Sequence, residues 1–348
     1  MTDINILTEV EVAALNSLID GATRIVVTGH KSPDGDAMGS CLGWAEYLRM
    51  QRGKEPVVVM PDAYPDFLQW LPNTDKVVRY DKHKEEVARM LQEADLIFCV
   101  DFNGFSRVDE MEGALAASPA RKVMIDHHLG PVEEDWELAL SHPEMCSASE
   151  LVFRIIWQLQ GFEGMTRRCA IQLYCGMMTD TGGFTFNSTR PEIYFIISQL
   201  LTKGIDKDKI YRNVYNNYSC WAIRLRGYLM SRKLNYIPDC RAAYFTITRK
   251  DMFDYHFVKG DAEGLVNEPL RIKGLKLSIS LREDDRRDNL IWVSLRSVDD
   301  FPCNEMAQQF FNGGGHLNAS GGRLMCSMRE AERITRQAIL HYEQRLRG

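Results

Sequence analysis

The chain has 348 residues, 45% hydrophobic and 26% charged, ordinary globular proportions that exclude a disordered, fibrous or low-complexity protein. Its net charge of −6 is not that of a non-specific binder of long nucleic acid, and no apolar run reaches the ~18 residues of a membrane span. Nine cysteines, an odd number without a C-x-x-C pair, argue against a disulfide framework and read as mostly buried thiols.

In chain order, residues 8–20 read as an acidic opening helix without a basic, then apolar leader, so a cytoplasmic protein is expected. TRIVVTGH (23–30) is an apolar, β-branched run that ends in polar residues, the mark of a buried strand. The same pattern returns at 55–60, 94–101 and 121–128, with helical stretches such as 37–52 and 82–93 between. Alternating strands and helices predict an α/β fold with a parallel sheet and helices on both faces. A largely helical stretch follows from 148 to 204, broken by a loop at 179–192, with Pro191 suited to the first turn of the next helix. Residues 205–235 are polar and helix-compatible, which predicts a first domain at 1–204, a helical linker at 205–235 and a second, smaller α/β domain at 236–348. The second domain is read with strands at AAYFTIT, KLSISLRE and LIWVSLRS, a glycine-rich turn at 312–322 and a terminal helix from about 328. Charge is unevenly divided: 25 Lys plus Arg face 32 Asp plus Glu before residue 236, and 17 face 16 after it. The acidic first part is either a solvated surface or a place where carboxylates gather to hold cations.

Ligands of parallel sheets bind beyond the carboxyl ends of the strands, and those ends are where the ionisable residues fall. His30, Asp34 and Asp36 follow the first strand, Asp101 closes the third, and Asp126, His127 and His128 close the fourth. Asp180 is read in a polar turn after IQLYCGMMT. A loop at a strand end turns alternate carboxylates to different sides of one cavity, so Asp34 and Asp36 can serve two neighbouring cations, with Gly35 bending the backbone between them. Taken alone, the same segment is equally an Asp/Gly turn with a helix cap. Several carboxylates converging in one crevice are costly unless cations neutralise them, and a mixed imidazole and carboxylate set suits manganese better than calcium.

These residues resemble the DHH phosphoesterase superfamily, named for the element that here is Asp126-His127-His128. The resemblance covers nearly the whole chain, with motifs in order: H-x-x-x-D-x-D-x-x-G-S from His30 to Ser40, the strand-terminal Asp101, the triplet, T-D-T-G at 179–182 and G-G-G-H from Gly313 through Gly314 and Gly315 to His316. The arrangement, with a DHHA-type second domain and no sensor domain, is similar to NrnA-type oligoribonucleases that also act on 3′-phosphoadenosine 5′-phosphate. The resemblance implies two divalent cations, manganese first, with magnesium or cobalt as alternatives. It assigns His30 and Asp34 to one, Asp36, His127 and Asp180 to the other, and Asp101 as the bridge. It implies that His128 contacts phosphate and that Arg107 lies near it, an exposed helix arginine being the other reading of Arg107. Asp126 orients the histidines as a supporting group. In the second domain it implies that Arg296, the glycines and His316 hold a terminal phosphate or its sugar, where a plain glycine turn is the alternative. Ser320 stands where many members have alanine, which bears on nucleotide preference.

The implied activity is two-metal hydrolysis of short RNA or a mononucleotide bisphosphate lying between the domains, with no membrane partner and with the oligomeric state, a homodimer included, left open. The rivals are hydrolysis of polyphosphate or pyrophosphate, hydrolysis of cyclic or linear dinucleotides, and a non-catalytic RNA-binding module like the glycine-rich domain attached to alanyl-tRNA synthetases.

Overall fold

A computed structural model describes residues 4–130, 136–258, 260–262 and 264–348, which divide into two units, Met1–Asn217 and Tyr218–Gly348. In the first unit the elements run α1 (Glu9–Gly21), β1 (Ile25–Thr28), α2 (Gly35–Arg52), β2 (Val57–Met60), β3 (Val78–Arg79), α3 (Lys84–Glu93), β4 (Leu96–Val100), α4 (Glu112–Ala116), β5 (Arg121–Asp126), β6 (Leu138–Ser141), α5 (Ala148–Gln158), α6 (Arg167–Asp180), α7 (Pro191–Thr202) and α8 (Lys207–Tyr215). All six strands are parallel in the order β3-β2-β1-β4-β5-β6. The near-continuous apolar runs have a simple cause: both faces of this sheet are covered. Ile25, Val27, Phe98, Val100 and Ile125 pack into one core with α1, α2, α5 and α6, and Val26, Val59, Ile97 and Cys99 pack into another with α3 and α4. Strand order reverses direction between β1 and β4, so the loops after these two strands diverge and leave a crevice at their carboxyl ends.

Two contacts hold α2 in place. Trp44 is fully buried, 5.1 Å from the Tyr47 ring and edge-on to Phe98 of β4 at 5.2 Å, a burial contributing roughly 1.5–3 kcal/mol before ring geometry is counted. On its other side α2 crosses α6 through Gly35, Gly39 and Gly43, one residue per turn. A Cβ on Gly39 would stand 2.5 Å from Gln172 O, a backbone atom, so only glycine permits this approach there, and one on Gly43 would stand 2.6 Å from the Leu173 side chain, which would have to shift.

The segment expected as a helical linker divides at Asn217: α8 belongs to the first unit, and α9 (Cys220–Tyr228) opens the second. The second unit continues with β7 (Asn235–Ile237), β8 (Ala242–Ile247), α10 (Arg249–Asp254), β9 (Leu277–Glu283), β10 (Leu290–Ser297), α11 (Cys303–Phe310), β11 (Gly314–Gly315), β12 (Ala319–Met325), α12 (Met328–His341) and α13 (Glu343–Arg347). Its sheet runs β11-β12-β10-β9-β8-β7, antiparallel except for the β8–β9 pair. Leu277, Ile279, Val293 and Leu295 pack against α11 and α12 on one face, and Phe245 and Ile247 pack against α9 and α10 on the other. The glycine-rich stretch 312–322 is therefore not a plain turn. Gly314 pairs with Gly321 and Gly315 with Ser320 in a short ladder, which glycine's low strand propensity conceals.

Among the described residues, no helix is long and apolar enough to cross a membrane. The nine cysteines are free thiols, with Cys220 exposed and Cys326 partly so.

Candidate metal centre

The crevice beside β1 and β4 gathers the ionisable residues of the first unit. Asp101 follows β4 with a left-handed backbone, φ 67, its N–H donating to Ile125 O at 2.9 Å. A non-glycine residue in that region is uncommon, and such strain persists where surroundings over-determine it. The turn buries the carboxylate and points its two oxygens at two imidazoles: Oδ2 is 3.4 Å from His30 Nε2 and Oδ1 is 3.3 Å from His127 Nε2. Both histidines are pinned from behind. His30 Nδ1 lies 2.8 Å from Lys31 O and His127 Nδ1 lies 3.3 Å from Met145 O. A carbonyl only accepts, so each Nδ1 carries a proton and each Nε2 is left to face the carboxylates.

Asp34 answers to both readings of its segment. Its Oδ1 caps α2, accepting from Asp36 N–H and Ala37 N–H at 2.9 and 3.0 Å, while Oδ2 stands 3.8 Å from His30 Nε2. Gly35 does not take a positive φ; it is needed because a Cβ there would lie 2.3 Å from Thr179 Oγ1. Packing, rather than the bend expected from the sequence, is its reason. Asp36 is buried and accepts from the first N–H groups of α5, Ala148 at 2.6 Å and Ser149 at 2.9 Å, with Oδ2 3.8 Å from His127 Nε2. Asp180 is the last residue of α6, not part of a loop, because Thr179 Oγ1 bonds back to Cys175 O and Gly176 O and the helix runs on. Its Oδ2 is 3.6 Å from His127 Nε2.

Two triads thus share one carboxylate: His30, Asp34 and Asp101, and Asp36, Asp101 and His127, each with ligand-type atoms within 4.8 Å of one another. Electrostatics shows what this costs. Burial, and the charges of Asp101 and Asp180, push Asp36 well above the ordinary carboxylate range. Burial, with Asp34 and Asp101, raises Asp180 to about 7 against the lowering effect of His127. Burial alone would lower His30, yet its hydrogen bond to Asp101 and the charges of Asp34 and Asp101 outweigh it and raise it to about 9. Asp101 Oδ1 is buried with no well-formed hydrogen bond, its nearest partner being His127 Nε2 at 3.3 Å. Crowded carboxylates, an unsatisfied buried oxygen and Nε2 atoms turned inward are the donor chemistry of a divalent cation site.

The triplet's other members serve differently. Asp126 is fully buried and accepts from His128 N–H at 2.9 Å and from His128 Nδ1 at 2.8 Å. That leaves His128 Nε2 outward, 3.5 Å from Arg107 Nη2. Arg107 is exposed and enters through the 3-10 segment Phe105–Met111.

In the second unit, β10–β12 register sets Arg296 opposite Ala319, whose carbonyl accepts from His316 N–H at 2.9 Å, so these two are brought together. Arg296 Nη1 donates to Leu295 O at 2.9 Å. Gly313 and Gly315 are required by close backbone approach: a Cβ would meet Gly321 O at 1.9 Å and Ala319 O at 2.6 Å respectively. Ser320 is buried and donates to His316 O at 2.8 Å, so its hydroxyl closes the loop and is not presented outward.

Sequence reasoning missed Glu150. Fully buried, it accepts from Arg154 Nε and Nη2 at 2.9 and 2.7 Å, from Arg190 Nη2 at 2.7 Å and from Cys146 N–H at 2.8 Å, and so secures the start of α5 that grips Asp36. The S-x-x-E spacing of Ser147 and Glu150 is the signal available for this helix start.

Residues 24–177 match the family model described as the DHH family, N-terminal domain. A crystal structure of an exopolyphosphatase-related protein from Bacteroides fragilis is 46% identical in sequence, with a TM-score of 0.94 and both chains covered in full. The bifunctional oligoribonuclease and PAP phosphatase NrnA of Bacillus subtilis is 26% identical over 314 residues, 89% of this chain and 92% of that protein. The cyclic-di-AMP phosphodiesterase GdpP of Geobacillus thermodenitrificans is 26% identical over 340 residues, 94% of this chain but 49% of that longer protein. With its triplet at the end of β5, a family-model match over residues 24–177 and a 46% identical relative along its whole length, the chain belongs to the DHH family of phosphoesterases.

Proposed function

We propose that the chain hydrolyses short oligoribonucleotides to 5′-mononucleotides, and 3′-phosphoadenosine 5′-phosphate to AMP, with two divalent cations. His30 and Asp34 hold one cation, Asp36, His127 and Asp180 hold the other, and Asp101 belongs to both. When bound, the cations, manganese by the mixed imidazole and carboxylate set, lower the pKa of the attacking water and neutralise charge growing on the phosphate. His128, kept in one tautomer by Asp126, and Arg107 beside it hold the non-reacting phosphate oxygens by charge-assisted hydrogen bonds. Arg296 and His316 hold the terminal phosphate or its sugar, which orients the chain end for attack.

The observation that carries the reading is the single buried carboxylate of Asp101 turned at two back-pinned imidazoles, 3.4 and 3.3 Å away. The choice of substrate is supported by likeness to an oligoribonuclease and PAP phosphatase along 89% of the chain. Likeness to a cyclic-di-AMP phosphodiesterase over 94% of the chain supports the rival, a dinucleotide phosphodiesterase. The test is turnover of a dinucleotide, longer RNA, 3′-phosphoadenosine 5′-phosphate, cyclic di-AMP and polyphosphate, each with manganese and with a chelator. Release of mononucleotides and AMP that stops on chelation is expected. Activity that survives chelation, or turnover of polyphosphate alone, would overturn the proposal.

A further inference from the structure

Away from the cluster around Asp101, the first unit carries a cavity of about 400 Å³ walled by four aromatic rings, Tyr174, Phe184, Tyr194 and Tyr211, and two cations, Lys207 and Arg212. It shares a turn with the candidate metal centre. Met178 and Gly183 line the cavity on either side of Asp180 in sequence, and Gly183 N–H donates to Met178 O at 2.7 Å to close that turn. Three residues from Asp180 to Gly183 span at most about 10 Å, a distance that nucleotides next to a cleaved bond can cover. Gly183 holds this turn with a left-handed backbone, φ 76, that a side chain rarely adopts.

A purely structural role explains only half of this wall. Tyr174 is buried and meets Phe184 at 5.6 Å, as core rings do. Tyr194 and Tyr211, however, are 52% and 46% exposed. Exposed rings beside cations are the composition of single-strand nucleic-acid sites, where a base stacks on a ring and the cation meets phosphate. Asp208 also lines the cavity, pairing with Lys207 at 2.7 Å and feeling the charge of Arg212, so the wall keeps one net positive charge, carried by Arg212, exposed on the same helix. The volume falls within the range that holds a small molecule such as a mononucleotide. Charge complementarity favours RNA over an apolar peptide.

We propose that this cavity is a second nucleotide subsite, in which a base of a short single-stranded RNA stacks on Tyr194 and Tyr211 with Arg212 toward its phosphate. The proposal rests on the reading of the chain as an oligoribonuclease and adds chain-length selection to it: an oligomer long enough to fill the cavity gains a hold that a dinucleotide lacks.

The test uses the full chain and fluorescently labelled penta-adenylate. Binding is measured by anisotropy in EDTA, and kcat/KM for penta-adenylate and for a dinucleotide is measured with manganese. Tyr194→Ala, Tyr211→Ala and Arg212→Ala should each weaken penta-adenylate binding at least about 5-fold, as loss of a base stack does. The ratio of kcat/KM for penta-adenylate to that for the dinucleotide should fall by a similar factor, and Tyr211→Phe, which keeps the ring, should restore both. Wild-type binding and an unchanged ratio in all three variants would overturn the subsite, and so would equal losses on both substrates. The two readings fail separately. A wild-type protein that binds penta-adenylate through these tyrosines yet hydrolyses no RNA would sink the oligoribonuclease reading and keep the subsite. RNA hydrolysis indifferent to the tyrosines would do the reverse.

Discussion

Asp101 combines two demands that seldom fall on one residue: a left-handed backbone and a buried carboxylate shared between two imidazoles. Asparagine tolerates that backbone nearly as well but cannot supply the charge. Asp101→Asn should therefore fold normally, with an unfolding midpoint near wild type by circular dichroism. Its kcat should fall by more than the roughly 10- to 100-fold that removal of a supporting partner brings. A variant that folds and turns over at near-normal rate would show that Asp101 does not bridge cations. Asp95, at the other end of the same sheet, provides a pH prediction free of metal. It accepts from Thr23 Oγ1, Arg24 N–H and Thr23 N–H, which together hold its pKa at about 2. The folded pKa lies below the ordinary ~3.9, so this contribution is present above pH ~4 and disappears as pH falls through about 2. Asp95→Asn should be less stable than wild type at pH 6, with the gap closing toward pH 2 in urea titrations. A gap independent of pH would mean the tie is not ionic. His30, Asp101 and the triplet stand out in the sequence because each sits where an apolar run stops, and Asp34 and Asp36 because they crowd the loop and helix start that follow. Glu150 was legible only in part: the S-x-x-E start and the i,i+4 spacing to Arg154 are local, but its partner Arg190 lies 40 residues away and its complete burial leaves no local trace.

At the scale of elements, the candidate centre depends on how closely α2 and α6 approach, because Asp36 opens one and Asp180 ends the other. Gly39→Ala would put a Cβ 2.5 Å from Gln172 O and 3.0 Å from Gly176 N, backbone atoms that cannot turn aside as a side chain can. The helices must part, at a cost of about 1–3 kcal/mol, and manganese affinity should fall with them. Gly113→Ala in α4, where a Cβ meets nothing within 4 Å, is the matched control and should be neutral or slightly stabilising. Urea midpoints and manganese titrations of the two variants check this, and equal behaviour would remove the crossing from the account of the site. The long elements were plain in the sequence for a physical reason: strands buried on both faces and helices with an apolar side leave strong periodic patterns. The missing ones were short or built of residues with poor strand propensity. Two-residue β3, four-residue β6 with only Leu140 buried, and β11 and β12 with four glycines between them offer no period to detect. The true end of α6 was hidden because Thr, Asp and Gly at 179–182 read as loop, while the Thr179 hydroxyl was satisfying helix carbonyls.

For the whole molecule, the chain's two units carry different chemistry. Carboxylates and imidazoles gather in the first, and Arg296 with the His316 loop stands in the second, in keeping with the shift from acidic to near-neutral charge along the sequence. The boundary fell inside a run of helices without a proline- or glycine-rich break, so the expected linker was divided between the units and did not stand apart from them. A division of labour follows. Arg296→Ala and His316→Ala remove groups proposed to hold substrate and belonging to neither triad around Asp101, so manganese binding should match wild type. Turnover of a dinucleotide should drop about 10- to 100-fold in kcat/KM, in kcat as well as in affinity, because a held phosphate orients the bond to be cut. Bis-p-nitrophenyl phosphate, a diester with no nucleoside or terminal phosphate to hold, should lose much less. If both substrates lose equally, or bound manganese is lost, these side chains support the metal centre or the fold. If the loss is confined to the dinucleotide, the second unit acts as the anchor from which the chain end is measured, which an enzyme trimming nucleotides from an end requires and a general phosphatase does not.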